Sequence, residues 1–102
     1  MLILKPNCEW CDKSLPAKSK EAMICSYECT FCTSCVTEVF HNVCPNCGGG
    51  LCPRPIRPSK AYRQNVSLKH HAASTERVHS KYSQQELDEF TAEIKTIAPS
   101  DR

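Results

Sequence analysis

The C-terminal half of this 102-residue chain contains no cysteine, although the chain as a whole has nine, all between Cys8 and Cys52. Glycine is nearly as scarce, with three residues, and these too lie in the first 52. The N-terminal apolar run, Leu2–Leu4, meets Lys5 and Pro6 at once. It is too short for the apolar region of a secretory leader and far too short to span a bilayer. No ordered Ser/His/Asp set, phosphate-binding loop, paired-carboxylate motif or internal repeat beyond the cysteine pairs is present. These absences turn the reading away from a membrane protein and from the common hydrolases. They leave a cytoplasmic, non-enzymatic chain as the expectation. An odd cysteine count and no leader argue for reduced thiols, for which metal is the better use.

Metal is also what the size demands. A segment of roughly 50 residues cannot bury enough apolar surface to offset its chain entropy, so a cross-link has to hold it. The cysteines come as Cys8-x2-Cys11, thirteen residues, Cys25-x3-Cys29-x2-Cys32-x2-Cys35, eight residues, Cys44-x2-Cys47. That makes four close pairs, enough ligands for two closed tetrahedral Zn2+ sites of four thiolates each. A C-x-x-C turn aims both sulfurs at one ion and leaves backbone N–H groups free to donate to them. Gly48 after Cys47 suits the positive φ of such a knuckle, and Asp12 after Cys11 tolerates it. Iron–sulfur clusters use the same thiolates, but structural zinc suits this spacing better. A thioredoxin-like redox motif would need a βαβ setting that the segment lacks.

Two pairings remain open at this level. In one, the first two pairs hold one ion and the last two hold the other. In the other, pairs one and three share an ion, as do pairs two and four. Interleaving builds one compact unit; sequential fingers would stand as separate beads, each with few apolar residues to bury.

The composition divides the chain into three segments. Residues 1–52 hold every cysteine. Residues 53–82 open on Pro53-Arg54-Pro55-Ile56-Arg57-Pro58, which cannot be helical, and continue basic, with seven Lys/Arg against Glu76 alone. Residues 83–102 read as one amphipathic helix and a short end. Ser83 and Glu86 fit a capping box, with Tyr82 and Leu87 as a hydrophobic staple. Leu87, Phe90, Ile94 and Ile97 then form an apolar stripe, and Pro99 ends it. The stripe needs a partner: the chain's own zinc module, a second copy, or another protein.

Within the first segment, Val36, Val39, Phe40 and Val43 recur at helical spacing and predict a short central helix. Met23-Ile24 and Thr30-Phe31 predict a small hairpin, and Leu2–Leu4 an edge strand. Eight thiolates with two Zn2+ would carry the formal charge from +2 to near −2, all of it on the first segment. The basic 53–82 stretch is therefore expected either to fold back on that module or to bind nucleic acid or another acidic partner. His41, His70, His71 and His79 lack an identifiable second shell, and Cys52 reads as an incidental free thiol before a spare ligand or a reactive thiol.

The close-set middle ligands and the final Cys44-Pro45-Asn46-Cys47 resemble the RING-finger pattern. That resemblance implies a fold with a short β-hairpin, a central helix and a cross-brace. It also implies the interleaved ligand sets: Cys8, Cys11, Cys32 and Cys35 for the first zinc, and Cys25, Cys29, Cys44 and Cys47 for the second. Cys29 stands where histidine is usual. Ligase-type RING modules dock a conjugating enzyme through positions that Trp10, Val39 and Pro45 occupy here. They often carry a basic residue after the last ligand, where this chain has Gly48-Gly49-Gly50. The string MLILKPNCEWCDKSLP…ICSYECTFCTSC…VCPNCGG is more similar still to a small bacterial family, domain of unknown function 1272, from residue 1 to about 55. Lys69, His70, Ala73 and Ser74 resemble its tail. The helix from Ser83 extends beyond the usual end of that family. The resemblance implies a fold and metal content, not a reaction.

Overall fold

The computed structural model describes all residues, Met1–Arg102, and places the expected hairpin, central helix and C-terminal helix in that order, the strands a residue longer than their sequence patterns and the helices shorter. Strands β1 (Ala22–Ile24) and β2 (Thr30–Cys32) form the expected antiparallel hairpin, with Met23 opposite Phe31 and Ile24 opposite Thr30. A third strand, β3 (Cys52–Pro53), pairs antiparallel to the other edge of β1, giving the order β2-β1-β3. Proline is tolerated there because β3 is an edge. The strand straddles the compositional division between residues 52 and 53.

The central helix is a single π-helical turn, Cys35–Val39, closed by the Phe40 N–H donating to the Cys35 carbonyl at 2.9 Å. His41 and Asn42 follow in the left-handed region, at φ 49° and 62°, and stop it well short of Val43. The turn still delivers Val36 and Phe40 inward. Phe40 stacks edge-on against Phe31 at 4.6 Å and Trp10 at 5.8 Å between ring centroids. Asn42 earns its unusual φ by accepting the Leu51 N–H on Oδ1 at 2.8 Å.

Leu2–Leu4 is not a strand. Leu4 is nevertheless buried, and its carbonyl accepts from the Ser74 N–H at 2.9 Å. The partner comes from the basic connector, which folds back along the module as one of the two expected outcomes. Asn7, fully buried, both donates to the Val78 carbonyl and accepts from the Val78 N–H, imitating a strand pair across 71 residues. Arg77 grips Asp12 through its carboxylate and its carbonyl.

Arg54 is the most consequential of the connector's cations. Its guanidinium is buried and donates to three carbonyls, of Lys5 at 2.8 Å, Leu15 at 3.3 Å and Pro16 at 3.1 Å, pinning the N-terminal loop to β3. Burial lowers its pKa, yet an arginine stays charged. Arg54→Met should therefore cost about 3 kcal/mol, because buried carbonyls lose charged donors that no neighbour replaces. Denaturant unfolding would show it as a lower midpoint at unchanged slope.

Helix α1 (Gln84–Ile94) starts at Ser83, whose Oγ accepts from the Glu86 N–H at 3.1 Å. Leu87 is buried in the main core, and Phe90 and Ile94 lie against Gly48. The stripe is thus spent on the chain's own last knuckle. Ile97 lies beyond the helix and is exposed, and Tyr82 stays too open to act as a tight staple. A short 3-10 turn, Pro99–Asp101, completes the docking. Pro99 packs on Gly50, and Arg102 donates to the carbonyls of Asn42 and Gly48.

Candidate metal centres

Two of the four cysteine turns are built alike. The Cys8 N–H donates to Lys13 O and the Asp12 N–H to Cys8 O, at 2.8 and 3.0 Å. The Cys44 N–H donates to Gly49 O and the Gly48 N–H to Cys44 O, at 2.8 and 2.7 Å. Each turn passes through one left-handed residue, Asp12 at φ 66° and Gly48 at φ 79°, the two positions singled out from the sequence. At Gly48 glycine is needed twice over, because a Cβ there would also meet Ile94 Cδ1 at 3.3 Å.

The sulfurs of Cys8, Cys11, Cys32 and Cys35 all lie within 4.8 Å of one another, with Cys11 and Cys32 at 3.7 Å. Three of the four residues are buried, and Cys11 faces solvent. A second group joins Cys25, Cys44 and Cys47 within the same limit. Cys29 stands beside this group rather than within 4.8 Å of every member. Its sulfur interacts with the Cys44 and Cys25 thiols and accepts from Asn46 Nδ2 at 3.3 Å. The first group therefore draws on the first and third sequence pairs, and the second on the second and fourth. Backbone donors support the sulfurs as the knuckle geometry requires: the Tyr27 N–H points at Cys25 Sγ and the Gly49 N–H at Cys47 Sγ, both at 3.4 Å.

Electrostatics says what such groups need. Burial pushes the Cys35 thiol far up, and the neighbouring Cys8 and Cys32 sulfurs add to it. Burial raises Cys25 to about 11. The Cys29 and Cys44 thiols act on each other, which holds Cys44 above the usual thiol range and Cys29 below it. Thiols gathered this tightly cannot all ionise unless a cation joins them. A divalent metal ion supplies that charge, and both groups can hold one.

Glu9 escaped the sequence reading. It lies inside the Cys8-Glu9-Trp10-Cys11 knuckle and is buried. Its carboxylate accepts from the Thr30 N–H and from Lys5 Nζ, while its backbone N–H donates to the Thr30 carbonyl. One residue thereby ties the first group to β2, and β2 ends on Cys32 of that same group. Its burial is not readable from spacing, since Thr30, which pairs with both its carboxylate and its backbone, is 21 residues away.

Of the other candidates, Trp10 and Val39 are half-buried against the core, and Pro45 is buried. Pro45 and Asn46 share a groove of about 380 Å3 with Tyr82, Leu87, Phe90 and the acidic edge of α1. Cys52 is exposed on β3 and belongs to neither group. Ser67 Oγ meets His70 Nδ1 at 3.0 Å, and His79 lies 3.8 Å from Asp12, so neither histidine joins a cysteine group.

Fold and site together define a small cysteine-rich protein with a three-stranded sheet, one docked helix and two groups able to hold metal. The family model described as "Protein of unknown function (DUF1272)" matches residues 1–57, and the chain belongs to that family. An uncharacterised protein of Rhizobium meliloti (strain 1021) is 51% identical over 78 residues, covering 76% of this chain and 86% of the relative. No solved structure matches. No helix is long and apolar enough to cross a membrane.

Proposed function

We propose that this chain is a two-zinc, RING-like cross-braced module serving as a cytoplasmic, non-enzymatic interaction or scaffold unit. The observation that carries the metal reading is the 3.7 Å between Cys11 and Cys32 sulfurs, 21 residues apart. Tetrahedral thiolates about 2.3 Å from a zinc ion are separated by about 3.8 Å along each edge, so this pair already spans one edge. With Cys29 closing the second set beside Cys44, both sites have four protein ligands. A closed four-thiolate site leaves no position for a water or substrate, which favours a structural over a catalytic role.

The ligase-like variant has less support. Pro45 is buried, and α1 stands at the rim of the same groove, on ground a conjugating enzyme would use. The scaffold reading is therefore preferred over the adaptor reading.

Elemental analysis tests the metal assignment. Two zinc ions per chain are expected in the natural protein and in Cys52→Ser, and one in Cys29→Ser. Loss of an ion from Cys52→Ser, with Cys29→Ser unaffected, would overturn the ligand set at both positions.

A further inference from the structure

The connector contains a closed loop that neither the metal sites nor the helix docking uses. The Leu68 N–H donates to the Pro58 carbonyl at 2.8 Å, so residues 58–68 leave the body of the protein and return to the same point. Ser67 anchors the return, buried to 1% exposure and bonded to His70. Compact loops with joined ends are commonly recognition elements. This one carries Lys60, Tyr62 and Arg63 and has no acidic residue.

Its outward face is unusual for so small a protein. Tyr62 is 76% exposed, with Lys60 Nζ 5.6 Å from its ring centroid. Beside it runs a groove of about 380 Å3 lined by Lys18, Lys20, Arg57 and Lys60, with Ile56 and Tyr62 as its apolar surfaces. The four cations come from two distant segments, the loop before β1 and the connector, and no carboxylate lines the groove. Lys18, Lys20 and Lys60 take part in no ion pair. Arg57 is held in place by donating to the carbonyls of Leu2 and His71, both at 2.7 Å. Fixed and unpaired positive charge flanking an open aromatic ring is the combination that holds single-stranded nucleic acid, cations tracking phosphates while a base stacks on the ring.

We propose that this groove and the Tyr62 loop form a binding surface for single-stranded nucleic acid. The inference rests on the reading of the chain as a non-enzymatic binding module. It also enlarges that reading, because Lys18 and Lys20 belong to the cysteine-rich segment rather than to the basic connector. Sequence composition pointed only to residues 53–82; the fold brings the two lysines across.

Fluorescence anisotropy of the zinc-loaded full chain with a labelled oligothymidylate of about 16 nucleotides tests this. Four phosphate contacts predict that log K falls with log salt at a slope of about −2.8. Replacing Lys18, Lys20 and Lys60 together with glutamine should flatten that slope by about 2 and weaken binding at least tenfold at low salt. Tyr62→Ala should weaken binding by about tenfold while leaving the slope unchanged, because stacking carries no charge. Lys95→Gln, outside the groove, should bind as the natural chain does. Two zinc ions in each variant show that the fold is intact, which separates failure of the surface from failure of the metal module. A two-zinc protein that ignores the oligonucleotide overturns the proposal. So does one that binds duplex of the same length equally well and does not respond to Tyr62→Ala. Displacement of the oligonucleotide by an acidic peptide at lower concentration would reassign the groove to a protein partner.

Discussion

A strong zinc chelator should abolish the fold rather than merely soften it. Six of the thirteen residues in the buried core cluster are cysteines, so nearly half of what would be a hydrophobic core is thiol. The apolar remainder is Leu15, Ala22, Phe31, Val36, Phe40, Leu51 and Leu87. Folding free energies of whole domains are only about 5–15 kcal/mol, and structural zinc contributes roughly 10–16 kcal/mol per site in small modules. With zinc in both groups, as proposed, removing the ions would remove more than the net stability. It also leaves thiols such as Cys35 and Cys44 buried and crowded. Far-UV circular dichroism should collapse in chelator, Trp10 should lose its packing on Phe40, and both should return when two equivalents of zinc are added. An amide spectrum that stays dispersed in chelator would show that side-chain packing, not metal, holds the module.

The range of the contacts that build each element decides which parts of the structure were legible in the sequence. Knuckles are local: Cys-x-x-Cys followed by Asp12 or Gly48 specifies its own turn, and both were anticipated with their positive φ. The β1–β2 hairpin and α1, with its Ser83 cap, are likewise set by neighbours within a few residues. Elements that depend on distant partners were not legible. β3 exists because Cys52 and Pro53 find the free edge of β1, and nothing in Leu51-Cys52-Pro53-Arg54 announces a strand. Leu2–Leu4 looks like an edge strand in isolation, yet Ser74 and Arg57 take its carbonyls before any strand can. The helical spacing from Val36 to Val43 overshot for the same reason. Asn42 is held by Leu51, and its left-handed backbone ends the turn early. Arg54 was read only as part of the basic connector, and Glu9 was not singled out at all. Charged residues are seldom buried, and what buries these two is a set of carbonyls and an amide that only the fold supplies.

The interleaved pairing of the cysteines is implied by resemblance, and it lends itself to a thermodynamic cycle with mirror-image outcomes. Cys11 and Cys32 are expected to hold the same ion, so Cys11→Ser and Cys32→Ser should each leave one strong metal site. The double variant should then still leave one, because the second substitution strikes a site already lost. Cys11→Ser combined with Cys29→Ser should instead leave none, since those thiols serve different ions. Sequential fingers reverse both results: the Cys11/Cys32 pair would lose both ions and the Cys11/Cys29 pair only one. Interactions within a shared site are non-additive, whereas separate sites add, and this contrast survives moderate destabilisation of every variant. Cobalt titration followed by its thiolate charge-transfer absorption would count the sites directly. The surviving site should also bind more weakly than in the natural chain. β2 places Cys32 in one group three residues after Cys29, which stands beside the other, so loosening either ion frees the strand that positions both.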